Sequence, residues 1–291
     1  MQKVKAGDTV WVDAGMYGFD TWVNIYNGTE TAAFKIDTDN VSVIGKDSTA
    51  TVVNPPGASS FGIYADTQTG LRIRNLMITD ADYGIKFYNV VRSTIENDSI
   101  GVGGTTYGVY LGNGSDTNTI NHCIFQNTST GVYIDSCWFD TVSYSGSGQN
   151  ASQGIEVVSG GVHAILGNVA DTNFKGISVS TSRGCRVADN LCRGNSNVGI
   201  ELSGSDSASV SGNDASWNTG GNGGVLISAS SYGTLSGNTA NSNTAGPGFT
   251  LSSNNVVTNN VARMNSTHGV LLSGDSNVLR GNLCDSNTQY G

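Results

Sequence analysis

The chain has 291 residues, of which 37% are hydrophobic and 13% charged, with 40 glycines, 3 prolines and a formal net charge of −9. Sparse charge and periodic Val and Ile exclude a disordered chain, and the acidic balance argues against nucleic acid, which calls for basic patches. No apolar run of about 18 residues occurs, so no membrane span is encoded.

Residues 1–61 predict irregular opening coils. A strand is expected over Thr9 to Val12, a turn at Asp13-Ala14-Gly15 and a second strand around Phe19 to Ile25. A wider coil follows through Ala33 to Ile36 and Val41 to Gly45, then a loop at Pro55-Pro56. From residue 62 one phrase recurs, a glycine followed by alternating apolar residues. It reads Gly62-Ile63-Tyr64, Gly84-Ile85-Lys86-Phe87, Gly108-Val109-Tyr110-Leu111 and Gly131-Val132-Tyr133-Ile134. It returns at Gly154, Gly176, Gly199, Gly224, Gly248 and Gly269, so the spacing stays between 21 and 25 residues. A period that steady marks a stacked repeat.

Each repeat holds three short strands and three turns, with no room for a helix. The expected fold is all-β: a single-domain, right-handed parallel β-helix of about 11–12 coils, irregular over 1–61 and regular over 62–291. An Asn follows the second strand in most coils (Asn75, Asn97, Asn121, Asn168, Asn190, Asn213, Asn238, Asn260, Asn282), and another follows the third (Asn127, Asn173, Asn195, Asn218, Asn243, Asn265, Asn287). Asn tolerates the left-handed backbone of a sharp turn, and stacked amides can bond along the coils as a ladder. The five cysteines form no C-x-x-C pair, so zinc is not expected; they read as small buried hydrophobes.

The opening A-G-D-T-V-x-V-x-A-G-x-Y, from Ala6 to Tyr17, and the later G-[IV]-x-[LV] phrases with their trailing Asn resemble the right-handed parallel β-helix superfamily of carbohydrate-binding and sugar-hydrolase repeats. That group includes pectate-lyase-like enzymes and mannuronan C5-epimerases. The resemblance covers nearly the whole chain and implies a polysaccharide ligand. Tyr17-Gly18-Phe19-Asp20 matches four letters of the epimerases' Y-G-F-D-P-H, with Thr21-Trp22 in place of Pro-His.

In the Gly-anchored strand the first and third residues after Gly point inward, and the second and fourth outward. The outward file carries Tyr64, Tyr88, Tyr110 and Tyr133, with Lys86, Asp66, Asp135 and Glu156 among them. Aromatic rings beside hydrogen-bonding groups suit sugars, so the four tyrosines are the expected substrate-binding residues. Lys86, Asp135 and Glu156 are the catalytic candidates, for a lyase base or a hydrolase carboxylate pair. Asp66, Asp135 and Glu156 together are a candidate calcium cluster. The competing expectation is a non-catalytic adhesin or assembly protein whose outward Leu226 and Leu271 meet a protein partner. With no cap visible at either end, the chain reads as a secreted or cell-surface segment of something longer.

Overall fold

The computed structural model describes residues 4–17, 23–26, 30–55, 60–102 and 105–290. The chain is an all-β, right-handed parallel β-solenoid, and it divides into two compact units, Met1–Gly146 and Ser147–Gly291.

In the first unit each coil contributes one strand to each of three sheets. The first sheet stacks Thr9–Val12, Ser42–Gly45, Arg72–Arg74, Thr94–Glu96, Thr119–Asn121 and Thr141–Ser143, all parallel. The second stacks Glu30–Ile36, Ser60–Asp66, Tyr83–Tyr88, Tyr107–Gly112 and Thr130–Trp138. The third runs from Gly15–Tyr17 through Thr51–Val53, Met77–Thr79 and Ser99–Val102 to Ile124–Gln126. The strand Val23–Tyr26 departs from the plan and pairs antiparallel with Glu30–Ile36. Phe19 to Trp22 and Pro56 lie outside the described residues.

The second unit repeats the first two sheets. Its Gly-anchored strands run from Gln153–Gly161 through Lys175–Arg183, Val198–Ser203 and Gly223–Ser228 to Phe249–Leu251 and Val270–Leu272. Its third side is thinner, reduced to single bridges such as Val169 to Leu191 and Leu191 to Asp214 before Val261–Arg263 pairs with Leu283–Asp285.

The Gly column is a packing requirement. A Cβ at Gly108 would lie 2.4 Å from the Gly131 carbonyl oxygen and 2.6 Å from Phe125 Cδ1. Only hydrogen fits where one coil passes this close to the next. The inward positions fill the core of each unit: Ile85, Phe87, Val109 and Leu111 in the first, Ile177, Val179, Ile200 and Leu202 in the second, all buried.

Each of the two Asn series of the sequence holds two different structural roles. Asn75, Asn97 and Asn127 hold left-handed corners, with φ of 59°, 57° and 57°. In the second unit the ladder Asn are buried and come one residue after such a corner. Asn190 Nδ2 donates to Asn213 Oδ1 at 2.9 Å and to the Ile165 carbonyl at 2.9 Å. Asn213 repeats both bonds to Asn238 and Val187. A parallel ladder links Asn195, Asn218, Asn243 and Asn265. Corner and ladder positions are neighbours in sequence, so one eye-level alignment merges them. Four cysteines are buried and Cys284 is partly so.

Candidate functional site

The second sheet of the first unit carries a continuous tract of aromatic rings. The outward residues after Gly behave as expected: Lys86 aligns with Tyr64 on one side and Tyr110 on the other, and Tyr110 aligns with Tyr133. A second file stands beside it, built from the residue just before each Gly: Phe61, Tyr83 and Tyr107 are in register. Strict alternation misses this file, because Gly84 is skipped in the pairing: Tyr83 and Ile85 are paired across the strands on either side of it. The signal was present as an aromatic immediately before Gly in three successive coils.

The two files interlock. Tyr83 and Tyr107 stack at 5.2 Å between centroids, Tyr110 and Tyr133 at 5.3 Å, and Tyr107 lies 5.6 Å from Tyr110 and 5.0 Å from Tyr133. Rings stacked coil on coil give one face to each other. Tyr83, Tyr107, Tyr110 and Tyr133 are each half-buried in this stack. Tyr64 is only 3% exposed, its ring stacked on Phe61 at 5.5 Å, so it is a core residue and not a sugar contact. Tyr88 stands partly exposed in the next file, level with Asp66 and Gly112.

Lys86 is held in this tract. Its Nζ lies 4.6 Å from the Phe61 centroid, 4.4 Å from Tyr83 and 5.7 Å from Tyr110. Three rings around an ammonium hold it by cation–π attraction, so the side chain expected as a proton-abstracting base is anchored among aromatic rings. Burial pushes the Tyr110 phenol above its ordinary range, and the nearby Asp135 carboxylate adds to the rise. Tyr110 is therefore a neutral donor at ordinary pH. Acids flank the tract: Asp82 accepts a short bond from Thr106 Oγ1, Asp66 accepts from Tyr64 at 3.4 Å, and Asp135 Oδ1 accepts from Ser136 at 2.9 Å.

The expected calcium cluster does not form. Asp66 and Asp135 share a file but stand three coil steps apart, through Tyr88 and Gly112, about 14 Å at coil spacing. Glu156 lies in the second unit. There it aligns with Ser178, and Ser178 with Glu201. Lys175 pairs with Glu201, which also accepts from Ser178 Oγ at 3.3 Å. Burial raises the Glu156 carboxyl, with Lys175 pulling it down and Glu201 pushing it up. Leu226 and Leu271 share one outward file, but Thr250 stands between them.

A family model described as "Periplasmic copper-binding protein (NosD)" matches residues 8–146, 94–256 and 222–291. The chain belongs to the NosD family. No curated protein matches it by sequence. Among solved structures, the Azotobacter vinelandii mannuronan C-5 epimerase AlgE4 A-module superposes with a TM-score of 0.82 at 17% identity, covering 98% of this chain and 89% of that one. The AlgE6 A-module of the same organism gives 0.68 at 13% identity, covering 95% and 90%. A tailspike mutant of E. coli bacteriophage HK620, in complex with a hexasaccharide, gives 0.75 at 13% identity, covering 95% and 58%. At these identities the likeness establishes the fold.

The residues present do not fit the copper of the family description. Among the described residues no three His, Cys, Asp or Glu side chains converge as a metal site. Soft thiolate and imidazole donors are what copper selects, and a thiol must lose its proton to bind. Burial pushes Cys137 up to about 12 and holds Cys192 well above the thiol range. His122 is stacked on Tyr144 and His268 on Tyr290, while His163 is buried. No helix of the described residues is long and apolar enough to cross a membrane.

Proposed function

We propose that this NosD-family chain is a polysaccharide-interacting module, working outside the cytoplasm, that holds an extended sugar chain along the tyrosine tract of its first unit. The observation that carries the reading is the interlocked double file of Tyr83, Tyr107, Tyr110 and Tyr133 with Asp66, Asp82 and Asp135 beside it. Phenol edges and hydroxyls in a regular row match the repeating hydroxyls of a glycan. A hexasaccharide-bound tailspike and two mannuronan C-5 epimerase modules on the same fold support the ligand class.

Binding is preferred to catalysis. A lyase or hydrolase built on Lys86, Asp135 and Glu156 would draw its base from an amine that three rings already engage. The assembly reading rests on Leu226 and Leu271, which Thr250 divides. The test is a glycan array with Tyr110→Ala and Tyr133→Ala beside the parent protein. A glycan bound by the parent and lost in both variants supports the tract, and the tract is removed if every glycan the parent binds is still bound by both. Release of unsaturated uronates or reducing ends from alginate or pectin would replace the binding reading with the catalytic one.

A further inference from the structure

We infer that the first sheet of the first unit carries a second, separate site for a neutral oligosaccharide, bracketed by Phe139 with Trp138 at one corner and Tyr144 with His122 at the other. The inference does not depend on the tyrosine tract, which lies on a different sheet. Its first ground is exposure. Trp138, Phe139 and Tyr144 are 40%, 56% and 65% exposed, in a unit whose other large apolar side chains mostly fill the core.

The second ground is backbone conformation. Phe139 and Tyr144 occupy corners with φ of 63° and 48°, and His122 one of 52°. In the register of the first sheet, the Phe139 corner is held in earlier coils by Asn40, Gly70, Arg92 and Thr117, and the Tyr144 corner by Asn75 and Asn97. A bulky ring in the left-handed region is disfavoured where Asn or Gly would serve. Two such rings flank the same three-residue strand, and neither is buried in a core that would account for it. Left-handed corners recur along the chain, Val162 and Tyr232 included, and these two are marked by carrying exposed rings on either side of one strand.

The third ground is what lies between the brackets. The floor is the strand pair Thr119–Asn121 and Thr141–Ser143, with Thr119 opposite Thr141 and Asn121 opposite Ser143. Thr119, Asn121 and Thr141 are partly exposed, and Ser143 Oγ donates to Asn121 Oδ1 at 3.0 Å. Phe139 and Tyr144 are five residues apart, at most about 17 Å if extended, which admits a short oligosaccharide. Trp138 and Phe139 rings lie 6.2 Å apart and the His122 and Tyr144 rings stack at 5.5 Å. Rings at both ends over a floor of hydroxyl and amide groups suit sugar faces and sugar hydroxyls. A protein interface would place its apolar residues together at the centre. Neither floor strand carries a Lys or Arg to neutralise an acidic sugar.

The experiment titrates the whole chain with cellohexaose, xylohexaose and mannohexaose, and with an oligogalacturonate of the same length, following tryptophan fluorescence and heat of binding. Neutral sugar should bind better than the uronate. A Phe139→Asn, Tyr144→Asn double variant should weaken that binding at least tenfold while its Tm holds or rises, because Asn suits both corners. Trp138→Ala should weaken it and remove most of the fluorescence response. Unchanged affinity in the double variant, or no binding of any neutral hexasaccharide to the parent, overturns the inference. A Tyr110→Ala, Tyr133→Ala pair run alongside separates the two sites: binding lost only there sinks this one and leaves the tyrosine tract standing.

Discussion

Asp98 Oδ1 accepts the backbone N–H of Leu76 at 2.8 Å, and its Oδ2, sealed from solvent, has no hydrogen-bond partner. The position is the one that ladder Asn fill in the second unit, where Asn190 Oδ1 accepts the Asn168 N–H at 2.8 Å. An acid has replaced an amide, and burial pushes its carboxyl up to about 8.

The pH consequence follows from the direction of that shift. Below about pH 4 the carboxyl is protonated folded or unfolded. Between about 4 and 8 the unfolded chain ionises while the folded one keeps its proton, so stability falls across that window and levels off above it. Asp140, which accepts the Asn118 N–H and is raised by burial to about 8, acts in the same sense. Asp98→Asn should flatten the fall of Tm between pH 4 and 8 and add a few kcal/mol at pH 8, and a double change with Asp140→Asn should flatten it further. A Tm profile as steep as the parent's would show that Asp98 is ionised in the fold.

Asn213 sits mid-ladder with four bonds at 2.9 Å: it accepts from the Asn190 backbone and side chain and donates to Val187 and Asn238. Asn213→Ala strands buried groups on both neighbouring coils, at about 1–3 kcal/mol for each one left unsatisfied. Urea unfolding should show a loss of about 3 kcal/mol or more.

Gly108→Ala and Gly146→Ala make a matched pair. The first meets backbone oxygen at 2.4 Å, and the second meets nothing within 4 Å. The first should cost about 1–3 kcal/mol or more by overpacking, and the second should be neutral or slightly stabilising. Equal Tm values for both would contradict the close coil approach.

The Tyr110 phenol, buried and beside Asp135, should ionise above the ordinary tyrosine range. An alkaline absorbance titration should lose part of its high-pH amplitude in Tyr110→Phe. Asp135→Asn should move the Tyr110 contribution to lower pH by removing a negative neighbour.

Copper offers a plain check of the donor set. Titration with Cu(I) or Cu(II) should raise Tm by no more than a non-specific ion does, since a ligand bound to the folded state alone would raise it by mass action. Stoichiometric, tight copper uptake would overturn the donor-set argument and return the family description to this chain.

Much of the site was legible early because a repeat exposes its own columns. Tyr110 and Tyr133 could be placed in one file from Gly108 and Gly131 alone, and the register bears this out. Tyr83 and Tyr107 were missed because the alternation breaks at the skipped glycine between Tyr83 and Ile85. Asp98 carries no sequence mark of its ladder role, since the Asn beside it, Asn97, takes the corner.

By itself the sequence determined the coil: a glycine where only hydrogen fits, inward apolar residues at alternate places, and polar corners, all set by contacts that recur at one period. Tertiary structure alone decided how side chains of different coils meet. It turned the Tyr110 and Tyr133 faces to each other, buried Tyr64, caged Lys86, and set Asp66 and Asp135 too far apart to share a cation. Period and alternation say which file a residue joins. Ring tilt, burial and charge pairing depend on what stands above and below it, and that appears only when the coils are stacked.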